Sequence, residues 1–123
     1  EIKIIENSAA AQVVLEKNLS IIGAVFWSDQ LHLISFKDRA DYLTCNAHAA
    51  VMLDTQGDIL HLAVSDPTMV NEGEIRITVG LPTGGILKAD PAVSVQHEAS
   101  ATKFIINAKG LKGRTVAVSL QKK

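Results

Sequence analysis

The sequence predicts an all-β fold, an antiparallel sandwich of two sheets with about ten short strands, in a single domain over residues 1–123. Runs of alternating apolar side chains recur at near-regular spacing between turn residues. No stretch has the spacing of a convincing amphipathic helix. These two observations together are typical of a β-sandwich.

The clearest strand lies between a turn at Gly57 and a stop at Pro67. One of its faces carries Leu60, Leu62 and Val64, whereas the opposite face is mixed. Because side chains alternate across a strand, this pattern predicts a strand buried on one side only. Proline has no N–H for the ladder, so pairing should end there.

Six strands are predicted before this one, covering residues 2–5, 8–18, 21–27, 31–36, 42–47 and 50–55. The second is ambiguous, because its alanines favour a helix whereas Val13, Val14 and Leu15 favour a strand. The third is an uninterrupted apolar run, which predicts a strand covered on both faces. A charged connection follows the fourth, at residues 37–41.

Five strands are predicted after it, covering residues 74–79, 86–88, 93–98, 102–107 and 115–120. Turns are expected at residues 69–73 and 81–85. Residues 109–114 are interpreted as a hairpin loop in which Gly110 and Gly113 supply positive φ angles.

With 123 residues, of which 47% are hydrophobic and 20% charged, the chain has the composition of an ordinary globular domain. No run of 18 or more apolar residues is present, so no membrane partner is expected. The sequence opens on Glu1 without an initiator methionine, which suggests an excised fragment or a processed product. Any export signal would then lie upstream.

Charge is distributed unevenly along the chain. Residues 1–98 carry all 13 acids and six bases, whereas residues 99–123 carry six bases and no acid. Such a basic segment can attract an anionic polymer, a nucleic acid or an acidic neighbouring domain. A solvated loop and tail is the interpretation we favour, and no nucleic-acid partner is predicted.

Cysteine and histidine give no sign of a cofactor or metal site. Cys45 is the only cysteine, which excludes an internal disulfide and a cysteine metal cluster. The four histidines lack the spacing of metal ligands. They are His32, His48, His61 and His97. No cofactor and no zinc are therefore predicted.

Several segments, in order along nearly the whole chain, carry a family resemblance. They are ENSAAAQVV at residues 6–14, GAVFW at 23–27, the strand ending in VSDPT at 64–68, and LKGRTVAV at 111–118. The chain resembles the C-terminal β-sandwich domain of the polysaccharide lyases that cleave hyaluronan, chondroitin and xanthan. The resemblance favours a strand over residues 8–18.

The resemblance implies that catalysis takes place elsewhere. In this family Asn, His, Tyr and Arg side chains of an upstream helical toroid remove a proton from a uronic-acid sugar and expel the 4-linked oxygen. Tyr42, Asn46 and His48 supply some of these residue types here. On an extended strand they would span about 20 Å, too far to converge on one sugar carbon. No catalytic residue is predicted in this chain.

Contact with a carbohydrate is predicted at four residues, which are Trp27, Lys109, Lys112 and Arg114. Trp27 could stack on a sugar ring, and the basic side chains could meet an anionic polysaccharide. Because Trp27 ends the most apolar run, a mostly buried ring or a contact with another domain is the competing interpretation.

The function expected from the resemblance is that of a non-catalytic domain of a bacterial polysaccharide lyase, with chondroitin or hyaluronan preferred over xanthan as the substrate. Its partners would be the upstream catalytic and central β domains of the same polypeptide, and its location extracellular or periplasmic. An autonomous carbohydrate-binding module is the alternative, and an adhesion sandwich with a protein partner is a third. Exposed apolar side chains would mark an interdomain face.

Overall fold

A computed structural model describes residues 2–16, 20–28, 30–36, 39–69 and 73–123, without the side chains of residues 39 and 40. Twelve β-strands make up its regular structure, and those that pair within a sheet are antiparallel. In chain order they are β1 (Ile2–Asn7), β2 (Ala11–Glu16), β3 (Ile21–Phe26), β4 (His32–Phe36), β5 (Arg39–Cys45), β6 (Ala49–Asp54), β7 (Ile59–Ser65), β8 (Glu74–Val79), β9 (Thr83–Ala89), β10 (Val93–His97), β11 (Thr102–Asn107) and β12 (Val116–Lys122).

The strands form a seven-stranded and a five-stranded sheet. The larger sheet has the order β1-β2-β3-β6-β7-β12-β9, and the smaller has the order β10-β11-β8-β5-β4. The chain crosses between the sheets several times, since β4 and β5 separate the paired strands β3 and β6. The predicted all-β sandwich is therefore confirmed.

The hydrophobic core lies between the two sheets. The inward side chains of β7 are all buried, as the alternation of its sequence predicts. They meet residues of the smaller sheet such as Phe104, Ile77 and Leu43, which are also buried. Gly57, with φ +73°, forms the turn that joins β6 to β7. The half-buried strand and its turn are confirmed.

Buried hydroxyl groups tie the sheets together at one end. Thr83 on β9 and Thr102 on β11 are buried, and their hydroxyl oxygens lie 2.8 Å apart. The Thr102 hydroxyl also donates to the Leu81 carbonyl at 2.9 Å. These bonds satisfy polar groups that burial would otherwise leave without partners.

Some strand bounds differ from the prediction, although each of the twelve predicted segments corresponds to a strand. Strand β9 is longer than the predicted residues 86–88. The reason is that β9 is an edge strand with Gly84 and Gly85, and most of its side chains are exposed, so it lacks a strong alternation. The fifth strand starts at Arg39, inside the predicted charged connection. Parts of the predicted segments 8–18, 37–41 and 69–73 lie outside the described residues.

The predicted hairpin at residues 109–114 is wrong. This loop joins β11 of the smaller sheet to β12 of the larger, and the two strands do not pair with each other. The turn chemistry was predicted correctly, because Gly110 has φ +80° and Gly113 has φ +84°. A Cβ on Gly113 would lie 2.6 Å from Cγ of Met69, so the loop packs closely against that side chain.

The prediction that residues 21–27 are covered on both faces is also wrong for this chain alone. In β3 the inward side chains of Ile22, Ala24 and Phe26 are buried. The outward residues Gly23 and Val25 are only partly buried. The apolar character of this outer side needs a separate explanation.

Candidate functional site

A row of apolar residues crosses the outer face of the seven-stranded sheet. Each member of the row lies opposite the next on the neighbouring strand, from the edge strand β1 to β12. The row consists of Ile4, Val14, Gly23, Met52, Ala63 and Ala117. Outward positions of a sandwich are ordinarily polar, so an apolar row of this length is unusual. We call these six residues the apolar row.

The middle of the apolar row is a shallow depression of about 490 Å³. Small residues form its floor, because Gly23, Ala50 and Ala63 have little or no side chain. Larger side chains border it, with Val14 43% exposed and Met52 50% exposed. The result is a concave, uncharged surface suited to an apolar partner.

Polar residues border the apolar row on one side. In the adjacent cross-strand row, His61 lies between Asp54 and Ser119. His61 Nδ1 is 2.8 Å from the Ser119 hydroxyl. The Asp54 carboxylate accepts instead from the backbone N–H of Gln56, at 2.9 Å. Because Asp54 is not hydrogen-bonded to His61, the three side chains do not form a hydrolase triad within the described structure.

Trp27 lies just beyond the end of β3 and is 44% exposed. The ring is therefore not buried within this domain, and its contact with another domain stays a prediction. Its backbone N–H donates to the Ala10 carbonyl at 2.8 Å, which fixes the position of the residue. The ring lines an open cavity of about 480 Å³ together with Ser28, Gln30 and His48. The described lining of this cavity contains no lysine or arginine.

The predicted basic contacts Lys109, Lys112 and Arg114 belong to the loop between β11 and β12. This loop lies at the same end of the seven-stranded sheet as Trp27, because β3 ends and β12 begins there. Three strand spacings separate β3 from β12, which is about 14 Å. The structure therefore places the four residues at one end of the sheet but not around one cavity.

Several bases of the C-terminal segment have structural partners. Arg114 Nη1 lies 2.7 Å from Asp90 Oδ2, and Lys103 pairs with Glu98 at 3.4 Å. The Lys122 ammonium donates to the Thr55 carbonyl at 2.7 Å and to the Gly57 carbonyl at 2.8 Å. Much of the positive charge thus stabilises turns of the fold. The ammonium groups of Lys109, Lys112 and Lys123 have neither an ion pair nor a hydrogen bond with another described residue.

The residue types that resemble lyase catalytic groups do not converge. Tyr42 is buried, with 2% of its surface exposed, and burial raises the pKa of its phenol, whose oxygen has no hydrogen-bond partner among the described residues. The Asn46 amide oxygen accepts from the backbone N–H of Arg76 at 2.7 Å. His48 lies in the Trp27 cavity. Each side chain therefore lies in a different environment.

Cys45 is a buried thiol. Its sulfur donates to the Ala47 carbonyl at 3.3 Å, and burial raises its pKa to about 11. Three of the described histidines contact other side chains, since His32 lies 2.8 Å from Glu6, His61 lies 2.8 Å from Ser119 and His97 lies 3.1 Å from Thr83. No group of three or more His, Cys, Asp or Glu residues in the described part of the chain is placed to hold a metal ion.

Within residues 2–16, 20–28, 30–36, 39–69 and 73–123, no helix has the length and apolar character to cross a bilayer.

The apolar row was not identified from the sequence, although it had a signal there. Outward positions on three successive paired strands carry Gly23 or Val25, Met52 and Ala63. Residues 21–27 were recognised as apolar on both sides, but the pairing of β3 with β6 was needed to place these residues side by side. That pairing joins segments separated in the chain by β4 and β5.

Comparison with known proteins identifies the family. Residues 3–75 match the model of the polysaccharide lyase family 8, C-terminal beta-sandwich domain. A xanthan lyase from Bacillus sp. (strain GL1) is 36% identical over 121 residues, which is 98% of this chain and 12% of that protein. The chain therefore spans about an eighth of the length of this curated relative.

Solved structures give the same result. A Paenibacillus xanthan lyase is 30% identical, with a TM-score of 0.90, over 99% of this chain and 11% of that one. A Streptomyces coelicolor A3 chondroitin AC lyase, solved in complex with chondroitin sulphate, matches with a TM-score of 0.82 over 99% of this chain and 15% of that one. At 22% identity the second likeness shows a shared fold. The family match covers more than half of the chain, and the chain accordingly belongs to the C-terminal β-sandwich domains of polysaccharide lyase family 8.

Proposed function

We propose that this chain is the non-catalytic C-terminal domain of a bacterial polysaccharide lyase that cleaves uronic-acid polysaccharides by β-elimination. It supports the upstream catalytic and central β domains of the same polypeptide. The observation that carries the proposal is the coverage of the match, which spans 99% of this chain and 11% of a Paenibacillus xanthan lyase. Most of such a lyase therefore lies outside these residues, and its catalytic groups can be located there.

The chemistry of β-elimination supports a non-catalytic role. The reaction needs a group that neutralises the sugar carboxylate, a base for the proton α to it, and an acid for the leaving oxygen. In the described structure the phenol of Tyr42 is buried in the core, and Asn46 is bonded to the backbone. His48 lines the cavity beside Trp27, and Tyr42 is not among the described residues that line it.

The substrate of the parent lyase belongs to the same proposal. The sequence resemblance favours chondroitin or hyaluronan, and the relatives are a xanthan lyase and a chondroitin AC lyase. The higher identity is to xanthan lyase, at 36%, so xanthan is the polysaccharide to test beside the other two. An extracellular or periplasmic location follows from such polymeric substrates, which are too large to enter a bacterial cell.

One experiment tests this proposal directly. The isolated 123-residue chain and the full-length polypeptide that contains it are each incubated with chondroitin, hyaluronan and xanthan. We expect the full-length protein to release unsaturated uronate products, which absorb in the ultraviolet, and the isolated chain to release none. Product formation by the isolated chain would overturn the non-catalytic role.

An autonomous carbohydrate-binding module is the second candidate. The observation that favours it is the 44% exposure of Trp27 in a cavity with Gln30 and His48, which offers a ring face beside polar groups. Lys109, Lys112 and Arg114 would then contact an anionic polysaccharide at the same end of the sheet. A binding module retains its affinity for oligosaccharides when isolated, whereas a supporting domain binds its own upstream domains.

A further inference from the structure

We propose that the apolar row is the surface on which a preceding domain of the same polypeptide docks. This inference rests on the proposed function and adds to it the face of the sandwich that is covered. The occupant is a folded domain that presents an uncharged, largely apolar surface to the depression between Val14 and Met52.

The two outer faces of the sandwich differ, which is the first support for this assignment. On the five-stranded sheet, a cross-strand row of the same kind runs through polar or charged residues on four of its five strands. It consists of Gln96, Lys103, Thr78, Thr44 and Leu33, of which Thr44 is buried. On the seven-stranded sheet the apolar row contains no polar side chain in six strands. Covering the apolar row removes apolar surface from water, whereas covering the other row removes water mainly from polar groups.

The path of the chain is the second support. The matched family is a C-terminal domain, so the remaining length of such a lyase precedes it. Strand β1 is the first strand and forms an edge of the seven-stranded sheet. Its side chains Ile2 and Ile4 are 71% and 66% exposed, and Ile4 is the first member of the apolar row. A preceding domain therefore arrives at the border of the apolar row rather than on the opposite face.

The apolar row is large enough to form an interface between two domains of one chain. Six strands give five strand spacings, which is about 24 Å along the apolar row. If half of the cross-strand row on either side is included, the covered strip is about 13 Å wide. A strip of this width along the apolar row has an area of roughly 300 Å² on each partner. Both partners together then bury about 600 Å², the lower end of the range for interfaces between domains of one chain. The polar row of Asp54, His61 and Ser119 would form one rim.

Cysteine labelling of the full-length polypeptide tests the assignment. Met52→Cys places a thiol in the middle of the apolar row, and Gln96→Cys places one on the outer face of the five-stranded sheet as the matched control. The native Cys45 is buried and does not compete. The fraction labelled by a maleimide is followed by mass spectrometry of the peptide that carries each site.

We expect the Met52→Cys thiol in the native full-length protein to be labelled at least tenfold more slowly than the Gln96→Cys thiol. In denaturant both thiols should be labelled at similar rates. Ala63→Cys serves as a second variant on the same face, in case Met52→Cys perturbs the fold. Lyase activity of each variant shows that the protein remains folded.

Equal labelling of Met52→Cys and Gln96→Cys in the active full-length protein would overturn the docking face while leaving the proposed supporting role intact. Protection that is lost on dilution would mean that a second copy of the chain covers the face, which also overturns the inference. Lyase activity of the isolated chain is the separate result that removes the proposed function itself.

Discussion

Gly23 on β3 lies directly opposite Met52 on β6, and together they form the centre of the apolar row. Because glycine has no side chain, the Met52 thioether has no large neighbour on that side and the depression stays open. A Cβ built on Gly23 would touch Val14 Cγ2 at 3.7 Å, which is an ordinary van der Waals contact. The fold of the domain therefore does not require glycine here, and the open depression is the feature that depends on it.

Replacement of Gly23 by alanine should not weaken the isolated domain. Glycine inside a strand costs entropy, so we expect Gly23→Ala to raise the free energy of unfolding by up to about 1 kcal/mol. Gly57→Ala is the matched control, because Gly57 has open space around its Cβ position but a φ of +73°. Gly57→Ala should lower the free energy of unfolding by about 1–2 kcal/mol, because an L-residue adopts the left-handed backbone conformation at that cost. Denaturant unfolding measures the free energy of unfolding of both variants. A lower value for Gly23→Ala than for the wild type would contradict this account.

Truncation of Leu62 should show where the core lies. Leu62 is 2% exposed in the middle of β7, so we expect Leu62→Ala to cost about 2–5 kcal/mol of unfolding free energy. Leu87 is a leucine of the edge strand β9 that is 54% exposed, and Leu87→Ala should change stability by less than about 0.5 kcal/mol. Similar losses at both positions, measured by denaturant unfolding, would be inconsistent with the core described here.

The sequence predicted those parts of the fold that depend on local pattern. Alternation along β7 predicts its buried face, Gly57 is predicted as a turn residue, and Gly110 and Gly113 are predicted as turn residues with positive φ. Edge strand β9 was predicted too short, because exposure on both faces and Gly84 with Gly85 remove the alternation.

The candidate site depends on pairing between distant segments and was therefore missed. Met52 and Ala63 belong to one hairpin, but Gly23 joins them only because β3 pairs with β6 after two strands of the other sheet. No local pattern encodes that neighbour. The hairpin predicted at residues 109–114 is wrong for the same reason. The glycines of this loop specify a turn, but they do not specify the sheet in which β12 pairs.

The ion pair between Asp90 and Arg114 should make a small, pH-dependent contribution to stability. The hydrogen bond from Arg114 is the main cause that lowers the pKa of Asp90 from 3.8, and the backbone N–H of Ala92 adds to it. A carboxyl group whose pKa is lower in the folded state stabilises the fold above its unfolded pKa. The contribution is therefore present above pH 3.8 and is lost as the pH falls through the lower folded value.

Arg114→Gln removes the charge of this pair and is the variant that tests it. Thermal unfolding of wild type and variant should differ near neutral pH and converge in strong acid. Added salt should also reduce the difference, because Arg114 is more than half exposed. A difference that is the same at every pH would mean that packing of the side chain, not its charge, accounts for the effect.

Cys45 should be unreactive in the native protein at neutral pH. Its side chain is buried and its pKa is raised to about 11, so the thiol is both shielded and protonated. A thiol whose folded pKa is above its unfolded pKa of 9.0 adds stability below pH 9.0 and loses it as the pH rises toward 11. We expect maleimide labelling to follow global unfolding, and rapid labelling of the native protein would contradict the burial of Cys45.

Trp27 provides the test that separates a supporting domain from a sugar-binding module. It is the only tryptophan of the chain and is 44% exposed, so a sugar ring stacked on the indole would change its fluorescence. Because the described lining of its cavity holds no lysine or arginine to neutralise a uronate, we expect no saturable change with chondroitin, hyaluronan or xanthan oligosaccharides up to millimolar concentration. Calorimetric titration of wild type and of a Lys109→Gln, Lys112→Gln double variant is the control for binding at the basic loop. Saturable heat that the double variant or Trp27→Ala removes would favour the binding module instead.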